Sequence, residues 1–514
     1  MKRKTLMMLV VSMILVLMMG TVVQAKTVRI VLPGPYPADD WDEVQDIANE
    51  RLENDGYDFK IDVKFIPYSD YKDQTLVQLA TGEPIDLIHD APWHGRDQKI
   101  NAGYYYPLDD LLEEHGQRVY DYREPEDFES GKFKVDGERE LIGIPNKKSY
   151  GTVTNTLVRK DIREELGFEP ITTLEELEAF AYAVRDEKPE LVPMIVPNVD
   201  RFGLHVDEMR LTEDELTPKF IFDHSSGLYW IAGDPNDPVE ALEERGIATE
   251  PGEPLMSWLK RIRRWYQDGL IHPDILAIDD LNSYQNSGNV AISFQSKSTL
   301  SPSYQEALKS ADPNAEWELA TLHSYLRGQY GTDNQIYMPI SGENKVEAMQ
   351  FLNWANKQEN YDLLVYGIEG EHWEDAGPGY YKPLKKFDYR AWAWLENYKT
   401  ARIDTTLPES QQEYLLSTQE KENVKMNPYH GSFNMDKEPI KNEETRYAAL
   451  SDKYWPAIIT GVLDPEETLE KFAKEAGDII DTIVKERRRQ KAEFAIEQGY
   501  IDRDYAIEKG YIEE

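Results

Sequence analysis

An α/β fold built on mostly parallel sheet is predicted by three observations. Short extended runs alternate with amphipathic helices directly after the apolar N-terminus, and the same alternation restarts after the first third of the chain. The chain of 514 residues is 40% hydrophobic, enough for a large core in each of several domains. It contains no cysteine, so no disulfide framework substitutes for that core.

The elements follow in order. Lys2, Arg3 and Lys4 precede the apolar run Leu6 to Met19, and Val23-Gln24-Ala25 supplies small residues. This is the pattern of a cleavable export signal, with cleavage after Ala25. The run is too short to span a bilayer comfortably, since a spanning helix needs about 20 apolar residues. Thr27 to Leu32 reads as a strand. Asp40 is placed to cap a helix that carries Trp41, Val44, Ala48 and Leu52 on one face and stops at Gly56. Phe59, Ile61, Val63 and Phe65 alternate as in a half-buried strand. A helix follows over Tyr71 to Ala80, then the strand Ile85 to Ile88. This β-α-β-α-β order predicts parallel strands whose ligands bind beyond their carboxyl ends, in the loops Pro33 to Asp39 and His89 to Gly95.

Further on, Leu141 to Pro145 and Thr152 to Val158 read as extended. Thr173 and Glu176 form a capping box for a helix ending near Asp186. Met256 to Asp268 is predicted helical, with Trp258 and Trp265 on its core face. Asn289 to Phe294 and Gln335 to Ile340 return to strand. Asp464-Pro465-Glu466-Glu467 starts a last long helix reaching Gln490. Beyond it, Phe494-Ala-Ile-Glu-Gln-Gly-Tyr-Ile-Asp recurs as Tyr505-Ala-Ile-Glu-Lys-Gly-Tyr-Ile-Glu. Two copies do not make a solenoid, so residues 491–514 are expected to form a mobile or loosely packed appendage.

Charge narrows the partners. There are 96 acidic and 57 basic residues, a formal net of -39, and removal of the signal makes the chain three units more negative. That field repels phosphate backbones and anionic headgroups, so no nucleic-acid or membrane-surface partner is expected. An acidic surface suits solubility in high salt and does not specify a substrate.

Catalytic signatures are lacking. No Gly-x-Ser-x-Gly elbow and no His-Glu-x-x-His zinc helix occur. Ser69-Asp70-Tyr71-Lys72 matches Ser-x-x-Lys without an accompanying Lys-Thr-Gly. The nine histidines show no metal-ligand spacing, and no cofactor or metal is expected. Aromatic residues in predicted loops are more informative, because sugar C–H faces stack on rings while hydroxyls seek Asp, Asn and Arg. Trp93 follows a strand in Ile88-His89-Asp90-Ala91-Pro92-Trp93; Tyr150 lies in Asn146-Lys-Lys-Ser-Tyr-Gly151. Trp230 ends Gly227-Leu-Tyr-Trp, and Trp373 follows Tyr366-Gly-Ile-Glu-Gly-Glu-His.

Several segments together resemble the solute-binding proteins of bacterial ABC importers, in the large sugar- and oligosaccharide-binding family. Gly82-Glu83-Pro84-Ile85-Asp86-Leu87-Ile88 is similar to the family's entry to its second parallel strand, and Gly103-Tyr-Tyr-Tyr-Pro107-Leu-Asp-Asp-Leu111 to its Pro-Leu-Asp stretch. Trp265-Tyr-Gln-Asp-Gly-Leu-Ile-His-Pro-Asp274 follows the pattern Trp-Tyr-x-x-Gly-Leu-Ile-x-Pro-Asp. The strongest likeness is C-terminal: Gly431-Ser-Phe, Glu438-Pro-Ile-Lys-Asn-Glu443, Tyr454-Trp-Pro and Gly461-Val-Leu-Asp-Pro-Glu-Glu467. With Tyr366-Gly-Ile-Glu-Gly370 these resemble the larger, lipoprotein-type oligosaccharide-binding subfamily, over Val28 to Gln490.

The resemblance implies a two-lobed periplasmic binding protein, each lobe a mostly parallel sheet flanked by helices, joined by crossovers and closing on ligand by hinge motion. It places lobe 1 at 26–150 and 334–385, lobe 2 at 151–333 and 386–490, and crossovers near Ser149 to Thr154, Gly331 to Asn334 and Pro383 to Tyr398. It implies a non-enzymatic, monomeric receptor that hands a sugar or oligosaccharide to an ABC permease. Trp93 and Trp373 would stack on sugar rings, with Tyr150 and Trp230 as further aromatic candidates. Asp86, Asn146, Arg96, Asp333 and Asn334 would hydrogen-bond. Two departures matter. Ala25-Lys26 stands where lipoproteins carry cysteine, so a diffusible periplasmic protein is expected. Glu187-Lys-Pro-Glu-Leu-Val-Pro193 stands where alginate-binding relatives carry a calcium loop, so no calcium is expected there. The rival readings are a secreted carbohydrate-active enzyme, and a peptide- or polyamine-binding protein of the same fold.

Overall fold

The computed structural model describes residues 26–513, apart from 35–39, 136, 148, 153–154, 197–227, 235, 279, 298–299, 301, 321, 323–325, 330–332, 386, 388–392 and 430. The export signal and most of the loop Pro33 to Asp39 lie outside the described residues. The chain divides into two compact units. Unit 1 takes residues up to Tyr120, Ile336–His372 and Lys385–Leu395; unit 2 takes Asp121–Gln335, Trp373–Leu384 and Glu396–Glu514.

Unit 1 begins with strand β1 (Lys26–Pro33), helix α1 (Trp41–Asn54), strand β2 (Phe59–Ile66), helix α2 (Tyr68–Thr81) and strand β3 (Leu87–Asp90). β1 lies between β2 and β3 and is parallel to both, as the alternating sequence predicted. The buried face of α1 is Trp41, Val44, Ala48 and Leu52, the predicted set. β2 alternates buried and exposed residues from Phe59 to Phe65, which pins its register by the face it must bury. Gly82 adopts a positive φ at the end of α2 and ends that helix, as only glycine does without strain. The strand Gln335–Tyr337 joins the sheet beyond β3, and the helix Lys345–Ala355 adds Met349, Phe351 and Trp354 to the core.

Asp40 does not cap α1 with its side chain. Its carboxylate accepts from His372 Nε2 at 3.0 Å and from the Lys385 ammonium instead. Those two residues mark where the chain leaves unit 1 and where it returns. The Lys385 N–H also donates to the His372 carbonyl at 3.2 Å, so the base of the intervening excursion is closed.

Unit 2 holds a four-stranded sheet of β4 (Asn155–Arg159), β5 (Val192–Ile195), β6 (Val290–Lys297) and β7 (Trp317–Ala320), in the order β7-β4-β6-β5. Here the expectation of mostly parallel sheet gives way to a mixed one. β6 is parallel to β5, but β4 runs against both β6 and β7. The helices are α4 (Leu174–Glu187), with the predicted Thr173–Glu176 capping box, α5 (Glu253–Gln267), α6 (Lys441–Ile459) and α7 (Pro465–Glu497). Their apolar faces merge in one core that joins Leu177 and Phe180 to Leu259 and Trp265, Ile292 and Phe294, and Trp455, Phe472 and Ile480. Asp464 caps α7 through the Glu467 N–H, at 3.0 Å.

The C-terminal repeat differs from the expected loose appendage. α7 continues past Gln490, and Lys491, Phe494 and Ala495 are buried on it. Phe494 and Tyr429 pack with Ala241 and Leu242, and Tyr500, Ile501 and Tyr511 lie against that cluster. Both copies end a helix alike: Gly499 and Gly510 take positive φ, and the next tyrosine N–H returns to Ala495 O or Ala506 O at 2.8 and 2.9 Å. Lys491 Nζ donates to Ala241 O at 2.6 Å and to Glu244 Oε1 at 2.8 Å, which supplies partners for the buried cation. Burial still pulls Lys491 down to about 8 against the pull of Glu244.

Candidate functional site

In unit 1 the informative place is the carboxyl end of β3. All four residues of that strand are buried, and Pro92-Trp93-His94 then form a single tight turn. Gly95 follows at φ 79°, where a side chain would be strained, and leads into helix α3 (Arg96–Asn101). The turn leaves Trp93 48% exposed.

Beneath it lies a buried polar network. Asp90 Oδ2 is 3.1 Å from Lys99 Nζ and accepts the Tyr105 hydroxyl, while Asp90 Oδ1 accepts the Ala91 N–H at 2.8 Å. Lys99 also donates to Thr75 Oγ1 at 2.9 Å. Burial raises the Asp90 carboxyl and lowers the Lys99 ammonium, and each charge restrains the shift of the other. The Tyr71 hydroxyl donates to His89 O at 2.8 Å. His94 is buried among Tyr68, Tyr71, His89 and Trp93, and its Nε2 has no hydrogen-bond partner. Burial first, then Lys99 and Lys72, hold it down to about 4, so it is neutral at pH 7.

Arg96 is buried at the start of α3 and pairs with Asp97 at 2.9 Å. Asp86 lies at the opposite, amino end of β3. Its carboxylate accepts the backbone N–H of Arg29 and of Asn344, each at 2.8 Å, which ties β1 and the helix Lys345–Ala355 together. The structure therefore brings Trp93 and Arg96 to one end of the strand and Asp86 to the other.

In unit 2, Asn146 and Asn334 are neighbours through Asn146 N–H to Asn334 O at 3.0 Å. The Asn146 side chain is 2% exposed, and neither its oxygen nor its nitrogen has a hydrogen-bond partner. Such an orphaned amide is costly to bury. Asn334 is half-buried and Asp333 exposed. Tyr150 is buried 4.7 Å from the Tyr398 ring, with Lys147 Nζ 4.4 Å from its own. Lys147 pairs with the buried Asp127, which also accepts the Tyr398 hydroxyl at 3.1 Å. Burial, together with Glu124 and Asp127, pushes the Tyr150 hydroxyl up to about 12. Trp373 is 4% exposed and lies under the Arg402 guanidinium at 5.2 Å. Trp230 pairs with Arg245 in a short antiparallel ladder.

Asp40, Glu371 and His372 come close enough together to offer ligands to a cation. The donor pattern does not suit one. His372 Nδ1 accepts the Ile368 N–H at 2.9 Å, so the ring proton sits on Nε2 and faces Asp40. Lys385 supplies the positive charge and, with His372, holds the Asp40 carboxyl below its ordinary range.

A family model described as bacterial extracellular solute-binding protein matches residues 49–365, more than half of the chain. The chain belongs to the bacterial extracellular solute-binding proteins. A second model, described only as a domain of unknown function, matches 429–496, the segment that holds most of α6 and α7 of this solute-binding protein. One curated relative, from Niallia circulans and described as an uncharacterized protein in the butB 5' region, is 26% identical over 142 residues. That match covers 26% of this chain and 54% of the relative, so the chain spans about half the length of the curated relative it matches.

Solved solute-binding proteins share the fold over nearly the whole length. The N-glycan transport solute binding protein NgtS of Streptococcus pneumoniae is 18% identical, with a TM-score of 0.72 over 91% of this chain and 99% of that one. The HMO binding, ABC-transporter associated protein of Bifidobacterium longum infantis is 16% identical, with a TM-score of 0.61 over 91% and 98%. FusA of Streptococcus pneumoniae, in complex with kestose, is 13% identical, with a TM-score of 0.61 over 92% and 100%. At these identities the likeness establishes the solute-binding protein fold that the sequence motifs implied. Among the described residues no helix is long and apolar enough to cross a membrane.

Proposed function

We propose that this solute-binding protein captures a sugar or oligosaccharide outside the cytoplasm, performs no chemistry on it and presents it to an ABC permease. The observation that carries the reading is Trp93. It is a large aromatic residue left half-exposed at the carboxyl end of a parallel strand, where ligands of such sheets bind, in a chain of this family. The fold neighbours named for N-glycan transport, HMO binding and a kestose complex point to the same ligand class. Asn146 adds a buried amide whose hydrogen bonds a ligand hydroxyl or carbonyl would complete. Ligand acts by shifting population toward the state that binds it better. The small residues before Lys26, and the absence of cysteine there, support release as a diffusible protein.

The test is a thermal-shift screen of the chain from Lys26 onward against mono- and oligosaccharides, with chromatography of the sugars afterwards. A ligand at 100 times its dissociation constant stabilises by about 2.7 kcal/mol. A stabilising saccharide recovered intact is the expected result. Cleaved products would make the protein an enzyme, and stabilisation only by peptides or polyamines would replace the ligand class.

A further inference from the structure

We propose that Tyr68 is a second stacking residue, forming with Trp93 a two-ring platform over His94 that engages consecutive units of an oligosaccharide. The proposal rests on the saccharide reading above and assigns a residue that the sequence pattern did not single out.

The placement follows from the sheet. β2 and β3 flank β1 and run parallel to it, so their carboxyl ends lie along one edge. Pro67, in an extended conformation, turns the chain at the end of β2 and makes Tyr68 the first residue of α2. Trp93 occupies the corresponding place after β3. Both rings converge on the same imidazole: Tyr68 lies 4.9 Å from the His94 ring at 65°, and Trp93 lies 6.1 Å from it at 62°. These are edge-to-face contacts, which fix the rings laterally.

Both rings are nevertheless half open to solvent, Tyr68 at 53% and Trp93 at 48%. Single exposed apolar side chains are ordinary, but two aromatic rings fixed on one buried support form a shaped surface. The support itself is unusual, because the buried Nε2 of His94 has no hydrogen-bond partner and the surrounding rings hold it in place. The neutral imidazole beneath the rings adds no charge of its own, which suits the C–H face of a pyranose or furanose. Two rings, each held against one imidazole, offer two stacking faces, which suits two units in sequence.

The experiment is isothermal titration calorimetry on the mature chain, on Tyr68→Ala, Tyr68→Phe and Trp93→Ala. The probes are neutral gluco-, manno- and fructo-saccharides of one to four units. Loss of one stacking contact is expected to weaken binding of the tri- and tetrasaccharide that the wild type accepts about five- to tenfold in Tyr68→Ala. Tyr68→Phe, which keeps the ring, should retain wild-type affinity. Melting temperatures within error of wild type would show that the exposed substitution leaves the fold intact. If Tyr68→Ala binds the longer sugars as well as wild type does, the platform is refuted while the saccharide reading stands. If Tyr68→Phe loses as much as Tyr68→Ala, the hydroxyl and not the ring is used, and stacking by Tyr68 is likewise refuted. If the wild type binds no saccharide of any length, the receptor reading fails first and the platform with it.

Discussion

Lys99 Nζ and Asp90 Oδ2 meet 3.1 Å apart with neither side chain open to water, directly beneath the turn that presents Trp93. The pair is tolerable because Tyr105, Thr75 and the Ala91 N–H complete its hydrogen bonds. Lys99→Met would leave a buried carboxylate without its cation, at a cost of about 3–5 kcal/mol. Urea denaturation should show that loss, and the double variant Lys99→Met, Asp90→Asn should recover part of it, because no uncompensated charge then remains.

His94 makes stability depend on pH in a defined window. Its folded pKa, about 4, lies below the ordinary value of 6.5. Between those values the unfolded chain binds the proton and the folded chain does not, so the contribution is full above pH 6.5 and is lost as pH falls toward 4. Carboxylates add their own slope in that range. The difference between wild type and His94→Asn isolates the imidazole, and the variant's melting temperature should fall less steeply from pH 7 to pH 4.

Asn146 should trade stability for binding. Replacing its orphaned amide by leucine of similar size removes a buried polar group, a gain of about 1–3 kcal/mol. Asn146→Leu is therefore expected to melt higher than wild type without ligand and to bind the saccharide found by screening more weakly. A higher melting temperature with unchanged affinity would mark the residue as a packing defect rather than a ligand contact.

The C-terminal segment should be needed for stability. Truncation after Gln490 removes the Lys491 cation from buried Glu244 and takes Phe494 out of its cluster. Deleting a buried phenylalanine side chain alone costs about 3–5 kcal/mol. Thermal denaturation of the truncated chain should show a melting temperature well below that of the full one, with Lys491→Met lying between.

Local periodicity made much of the fold legible. The apolar spacing of Trp41, Val44, Ala48 and Leu52, the alternation from Phe59 to Phe65, and the caps at Thr173 and Asp464 all act over a few residues and appear as written. What escaped was tertiary. Asp40 reads as a cap because it precedes a helix, yet its partners are 332 and 345 residues away. α7 was expected to reach Gln490, yet it runs on, and Lys491 is buried by a carboxylate from a distant segment. At the site, Trp93 stood out by type and place, whereas Tyr68 gains meaning only from the ring it shares with Trp93.

The core of unit 2 also sets an order of events during synthesis. Leu177, Phe180, Trp265 and Phe294 are covered by Trp455, Phe472 and Ile480, which come from the last two long helices. Earlier segments can form local helices and hairpins, but they cannot close that core while α6 and α7 are still unmade. The larger unit therefore stays open on the ribosome until translation is almost complete. A late folding step of this kind leaves the nascent chain threadable through a narrow channel for most of its synthesis.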